Sequence, residues 1–385
     1  MQLVSLGAED INIIRDPEIT FFKTVYKTYN NFAIESIEQT FVGSPKFGST
    51  NTVKISRKGD LISKTYLQLT LPYQDDSSAV WTNRIGFNII KKVELLIGKQ
   101  IIDRQFGMWM HLWTELTSTD EHKNHLDKIV GSRSLGTENS AGLQANKSHT
   151  LIIPLQFAFC RNYSLAIPLV AIVQQDIVMK FYFETKNNCI QSGTAPAGDI
   201  TNVGLWVDYI FLEKPNVLNI VQNKQEYLID VTNRLVKNLS SNGIHNIVLP
   251  FTLPSKELIW VLRKKTLATN TDKFTDYTNG TTSMVKKGQL KINAEKFFRS
   301  GMRKFDYFNY IVPFQFHKGS PDLGINALSF CLDPENSEPS GYFNFNNVNK
   351  ISLSLDTFEG TVYVFSLSTN VLIVEDGYAR LKYQY

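Results

Sequence analysis

The strongest constraint in this 385-residue chain is a side-chain period of two that recurs along its length. In "LISKTYLQLTL" (61–71), Leu61, Leu67, Leu69 and Leu71 fall on one face of an extended strand, with Lys64, Tyr66, Gln68 and Thr70 on the other. "KVELLIG" sets Val93, Leu95 and Ile97 against Lys92 and Glu94, and "DIVMKFYFE" sets Ile177, Met179, Phe181 and Phe183 against Lys180, Tyr182 and Glu184. Val203, Leu205, Val207, Tyr209 and Phe211 align in "VGLWVDYIFLE", and Ile351, Leu353 and Leu355 align in "KISLSLD". Many short half-buried strands between turn-rich spacers point to β-sandwiches and away from alternating βαβ units.

Helical spacing is confined to short interruptions. Asp16 is placed to cap a helix opening at Pro17, with Ile19, Phe22 and Tyr26 on one face. A second helix is predicted over 105–116, where Phe106, Trp109, Met110 and Trp113 form an aromatic core stripe. The order of features then repeats. An alternating strand, a turn and an aromatic-rich segment occur at 91–113 and again at 288–314, and each is followed by a strand pair and a closing strand. The join falls near Pro215, in the polar run 213–227. Two similar all-β sandwiches in tandem are therefore expected, and the length suits two cores better than one.

Chemistry-bearing patterns are sparse. No nucleophile elbow, zinc-protease helix or phosphate-binding Gly-Lys-Ser/Thr loop is present. "GSRSLGTENSAG" (131–142) reads as a loop, and "DEHKNHLD" (120–127) as a polar connector whose His122 and His125 lack a third ligand. The six histidines (His111, His122, His125, His149, His245, His317) are too scattered for a cupin-like metal enzyme. No cofactor is expected. The balance of 40 Lys+Arg against 36 Asp+Glu, net +4, does not mark a nucleic-acid binder. A local excess at 256–304, twelve basic against four acidic residues, reads as a solvated face or a patch for an anionic partner.

Cys160, Cys189 and Cys331 are odd in number and far apart, which fits reduced thiols in a reducing compartment. No secretory signal is read in "MQLVSLGAED", and the longest apolar run, 165–173, is broken by Pro168 and too short to span a membrane. Sequons at Asn146, Asn162, Asn238 and Asn279 are candidate glycosylation positions of little weight without such a signal.

These residues also carry a resemblance. "QLVSLGAEDINIIRDPEITFFKTVYKTYNNFAIESIEQTF", "SRKGDLISKTYLQLTLP", "VELLIGKQIID" and "LAIPLVAIVQQDIVMKFYF" resemble the major capsid proteins of nucleocytoplasmic large DNA viruses, of the algal-virus and giant-virus type. The likeness continues in "SKELIWVLR", "KFDYFNYIVPFQ" and "PSGYFNFNNVNKISLSL", and so covers nearly the whole chain. It implies an all-β tandem double jelly roll, two eight-stranded antiparallel β-sandwiches, trimerising into pseudo-hexagonal capsomers of an icosahedral shell. It further implies virion localisation after synthesis in host cytoplasm. The implied partners are other copies of the chain and minor capsid proteins, with an internal membrane nearby but not spanned and no direct nucleic-acid contact.

On this reading residues 1–24 form an arm with a short helix, 25–213 the first jelly roll, 214–224 a linker and 225–385 the second. Ile19, Phe21, Phe22 and Tyr26 are the candidate assembly residues. One of the two adjacent phenylalanines is expected beneath its own jelly roll and the other against a neighbour, unless the whole arm plugs its own core. A compact 265–290 connection and the ending "EDGYARLKYQY" leave a shorter capsid paralogue as one alternative. A carbohydrate-binding jelly roll for host attachment is another.

Overall fold

The computed structural model describes residues 16, 18, 20–24, 28–75, 78–132, 143–264, 272–293 and 295–383. Apart from the short pairings Val80–Trp81, Ile167–Pro168 and Ile190–Ser192, the alternating segments of the first half become β1 (Phe32–Gln39), β2 (Thr50–Lys54), β3 (Leu61–Leu71), β4 (Ile90–Ile97), β5 (Gln100–Gln105), β6 (His149–Pro154), β7 (Ile177–Phe183) and β8 (Thr201–Leu212). They pair antiparallel as two sheets in the orders β1-β8-β3-β6 and β2-β7-β4-β5. Apart from the short pairings Thr278–Asn279, Thr282–Ser283, Arg303–Lys304, Phe343–Asn344 and Tyr378–Leu381, the second half supplies β9 (Gln225–Leu239), β10 (Gly243–Val248), β11 (Pro254–Arg263), β12 (Val285–Ile292), β13 (Glu295–Lys296), β14 (Asn326–Ser329), β15 (Ile351–Thr357) and β16 (Gly360–Glu375). Their sheets run β9-β16-β11-β14 and β10-β15-β12-β13. Each strand number is the earlier one plus eight. The chain is a double jelly roll.

The expected inward faces are buried, with one shift. Leu67, Leu69 and Leu71 line the core, but Leu61 is half-exposed while Ile62 is fully buried. An irregularity opposite Val207–Tyr209 puts an extra residue in β3, which reverses the alternation before it.

Two helices lie between β5 and β6. α1 (Gly107–Thr117) is buried over its whole circumference from Gly107 to Leu116, so its aromatic stripe is core. α2 (Asp120–Val130) occupies the stretch expected as a connector. Its Thr119 cap accepts the His122 N–H, Asp120 and Glu121 complement the positive end of its dipole, and Gly131 closes it at φ 79°. The expected linker contains α3 (Lys214–Gln222), which opens with Pro215 in its first turn.

The two sandwiches pack directly on each other. Along β11, Leu258, Trp260 and Leu262 fill the second sandwich's own core. Ile259 and Val261 point the other way and join, with Phe365 and Leu367 of β16, a cluster continuous with the first sandwich and α1. This double burial explains the unbroken apolar run "LIWVL".

The expected helix from Pro17 is corrected. Residues 20–24 are non-helical, Phe21 and Phe22 occupy a turn, and Asp16 has φ 53°, outside the extended region used by an N-cap. Ile19 and Tyr26, and residues 133–142 of the glycine-containing loop, lie outside the described residues.

Candidate assembly surfaces

Polar contacts fix how one sandwich sits on the other. Asp103 on β5 accepts the Thr232 N–H of β9 at 2.8 Å and the Gln105 side-chain amide at 2.8 Å. Burial pushes its carboxyl up to about 7, although these donors pull the other way. Nearby, Arg161, which follows β6, lies 3.1 Å from Asp230. The buried Lys256 completes that knot at 2.9 Å from Asp230 and donates to the Asn336 carbonyl at 2.7 Å. Apolar contacts centre on α1: Trp109 and Phe106 lie 5.6 and 6.2 Å from Phe365, and the Arg234 guanidinium stacks 3.8 Å over Phe106.

A second buried network gathers the connections at one end. Arg84 pairs with Glu115 and, at 2.7 Å, with Asp127, while Lys123 lies 3.0 Å from Glu115. Burial first, then the Arg84 charge, lowers His111 to about 3. Its neutral Nδ1 therefore accepts from Arg84 at 3.0 Å. The Asn83 N–H donates to Asp272 at 2.8 Å, tying this end to the second sandwich. The chain enters at the opposite end. Phe32 pairs with Leu212 and Leu61 with Ile210, whereas Leu71 pairs with His149 near where the loops leave.

The arm residues are uncovered. Phe21 and Phe22 are 88% and 97% exposed, so neither packs beneath its own jelly roll as one was expected to. On β1, Phe32 and Ile34 are also exposed. Asn238 is exposed, and Asn146, Asn162 and Asn279 are half-buried. Asn162 accepts from Ser164 and donates to Ser337, and Asn279 accepts from Lys264. The basic stretch divides: Lys256 is buried in the interdomain knot, while Lys286, Lys287, Lys296, Arg299, Arg303 and Lys304 are exposed on and beside β12. His122 and His125 are exposed on α2. Among the described residues, no three His, Cys, Asp or Glu side chains form a metal-holding group. All three cysteines are free and buried.

The interdomain network was not legible beforehand. Its partners lie 69 residues apart in Arg161–Asp230 and 129 apart in Asp103–Thr232, and no local pattern announces such pairs.

Two equivalent sandwiches, joined by a buried interface, make a rigid two-lobed block of the kind that builds viral shells. Comparison with known proteins makes the relation specific. Residues 20–213 match the major capsid protein N-terminus model, and 218–379 match that of the large eukaryotic DNA virus major capsid protein. The chain belongs to this major capsid protein family. It is 35% identical to the major capsid protein of Pyramimonas orientalis virus, covering 100% of this chain and 98% of that one. To the major capsid protein of Phaeocystis pouchetii virus it is 30% identical, covering 100% and 99%. The fold superposes on the quasi-atomic model of the PBCV-1 virus capsid with a TM-score of 0.84 at 25% identity, covering 95% of this chain and 100% of that one. The chain is a structural component of a virion capsid and not an enzyme.

Proposed function

We propose that the chain assembles as a homotrimer, the pseudo-hexagonal capsomer of an icosahedral shell. One observation carries this reading: a single strand order is used twice, in β1–β8 and again in β9–β16. Three copies around an axis then present six similar lobes, which tile a plane. Residues 25–213 and 225–385 are the two lobes and 214–224 joins them. The 98% coverage of the Pyramimonas orientalis virus protein supports the main shell subunit over a shorter paralogue.

Residues 1–24 form an assembly arm, with Ile19, Phe21, Phe22 and Tyr26 its contact residues. The arm enters β1 at the end away from the buried Arg84 network, and the Phe21 and Phe22 side chains are largely uncovered by the described residues. It reaches neighbouring capsomers or minor capsid proteins on the inner side of the shell. An internal membrane lies close by there; no helix among the described residues is long and apolar enough to cross it. Synthesis and assembly in host cytoplasm fit three free, buried thiols. Of the four sequons, exposed Asn238 is the position a glycan reaches without displacing its surroundings. Light scattering of the purified full chain tests the reading. Three times the chain mass is expected, and a species that stays monomeric at micromolar concentration contradicts it.

A further inference from the structure

The two sandwiches share a strand order but not a pattern of burial. In the first, α1 follows β5 directly and is covered on every side, because its outer face lies on the β9-β16-β11-β14 sheet of the second sandwich. In the second, β13 and, further along the same returning segment, Arg303–Lys304 pair with β12 as β5 pairs with β4. This segment too is followed directly by a helical one, a π-helical turn Tyr307–Ile311 running into a short helix Val312–Phe316. Phe106 and Phe305 each occupy the first position after the strand. The inner side of this segment is anchored like that of α1, with Phe308 and Val312 buried and Phe308 5.0 Å from Trp260. Its outer side is bare: Tyr310 is 52%, Ile311 45% and Phe314 90% exposed.

The receiving surface is also present twice. Across the second sandwich, Arg234, Phe365, Ile259 and Ala327 form one row over four strands, and α1 sits on it. Across the first, the corresponding row is Glu38, Trp206, Tyr66 and Pro154. Trp206 has a buried indole N–H with no acceptor among the described residues, and Glu38 is exposed. The free row differs in charge, and the docking segment differs with it: neutral Gln105 precedes Phe106, but a lysine precedes Phe305. Where the intrachain contact brings Arg234 over Phe106, the free row offers Glu38, and the residue preceding Phe305 is the exposed Lys304.

We infer that the bare face of the 305–314 segment docks on the Glu38–Trp206–Tyr66–Pro154 row of a second copy of this chain, repeating between chains the contact that joins the two sandwiches within one. The inference rests on the capsomer reading and specifies its interface. A head-to-tail contact of this kind closes a ring when the rotation permits. Two lobes per chain make that ring six lobes from three chains.

Concentration-dependent light scattering of the full chain and three variants tests it. Phe314→Glu replaces a side chain that its own chain barely touches, so the monomer keeps its circular dichroism spectrum while the trimer midpoint moves to roughly 30-fold higher concentration or more. Lys304→Glu and Glu38→Lys, both at exposed positions, each weaken the trimer, and together they restore it. A Phe314→Glu trimer with the wild-type midpoint, or a charge pair without rescue, overturns the inference while a trimeric wild type leaves the capsomer reading standing. A monomeric wild type overturns both.

Discussion

His317 is held between two carboxylates, its Nε2 2.9 Å from Glu257 and its Nδ1 3.4 Å from Glu335. Burial alone would lower its pKa, but the two carboxylates outweigh it and raise it to about 9. A raised folded pKa gives stability that is complete below the unfolded value and lost as pH climbs through the folded one. The imidazolium is thus worth at most about 3 kcal/mol near pH 6, disappearing by about pH 9. His317→Gln should be less stable than wild type at pH 6.5, with the gap narrowing toward pH 9.5 in denaturant melts; a pH-independent gap contradicts the charge assignment. Asp103 works in the same sense over a lower pH range. With its pKa raised to about 7, the folded state prefers the neutral acid, so stability falls as pH rises from about 4 through 7. Asp103→Asn keeps the acceptor for Thr232 and offers a donor to the Gln105 carbonyl oxygen, which has no partner among the described residues. It should melt above wild type at pH 8 and lose that advantage at pH 5. An Asn variant that melts below wild type at pH 8 would show that the ionised carboxylate is the form the interface needs.

At the scale of elements, the bare arm separates self-contained folding from assembly. Removing residues 1–24 should leave trimer mass and melting temperature near normal while shells fail to close, as seen by electron microscopy of assembly reactions. A truncated chain that melts much earlier would make the arm part of the core. Which elements the sequence announced follows from how local their causes are. The strands were legible because burial on one face writes a period of two, and α1 because Phe106, Trp109, Met110 and Trp113 recur at helical spacing. α2 carried its signals too, in Thr119, Asp120, Glu121 and Gly131, but its low apolar content hid them behind the look of a connector. The arm misled in the other direction. Asp16 and Pro17 offer a start signal, yet among residues 20–24 no helix has a surface of its own chain to lie on. Isolated short helices are marginal without such packing. The bulge in β3 was silent, because Leu61 and Ile62 serve an alternating pattern equally well in either register.

For the whole molecule, the buried join between sandwiches sets the geometry. A cluster continuous from the first core through α1 to Ile259, Val261, Phe365 and Leu367 makes the two lobes one rigid unit. Inter-domain interfaces of this apolar kind resist relative motion, which suits a tile that must hold its shape at every position in a shell. The central claim is that three such units make one six-lobed capsomer, and class-averaged electron microscopy of the purified full chain tests it most directly. The account predicts end-on views with six lobes around a central axis, three-fold when examined closely because the two sandwiches differ. Averages showing an isolated two-lobed particle, or a two-fold dimer with four lobes, would contradict it.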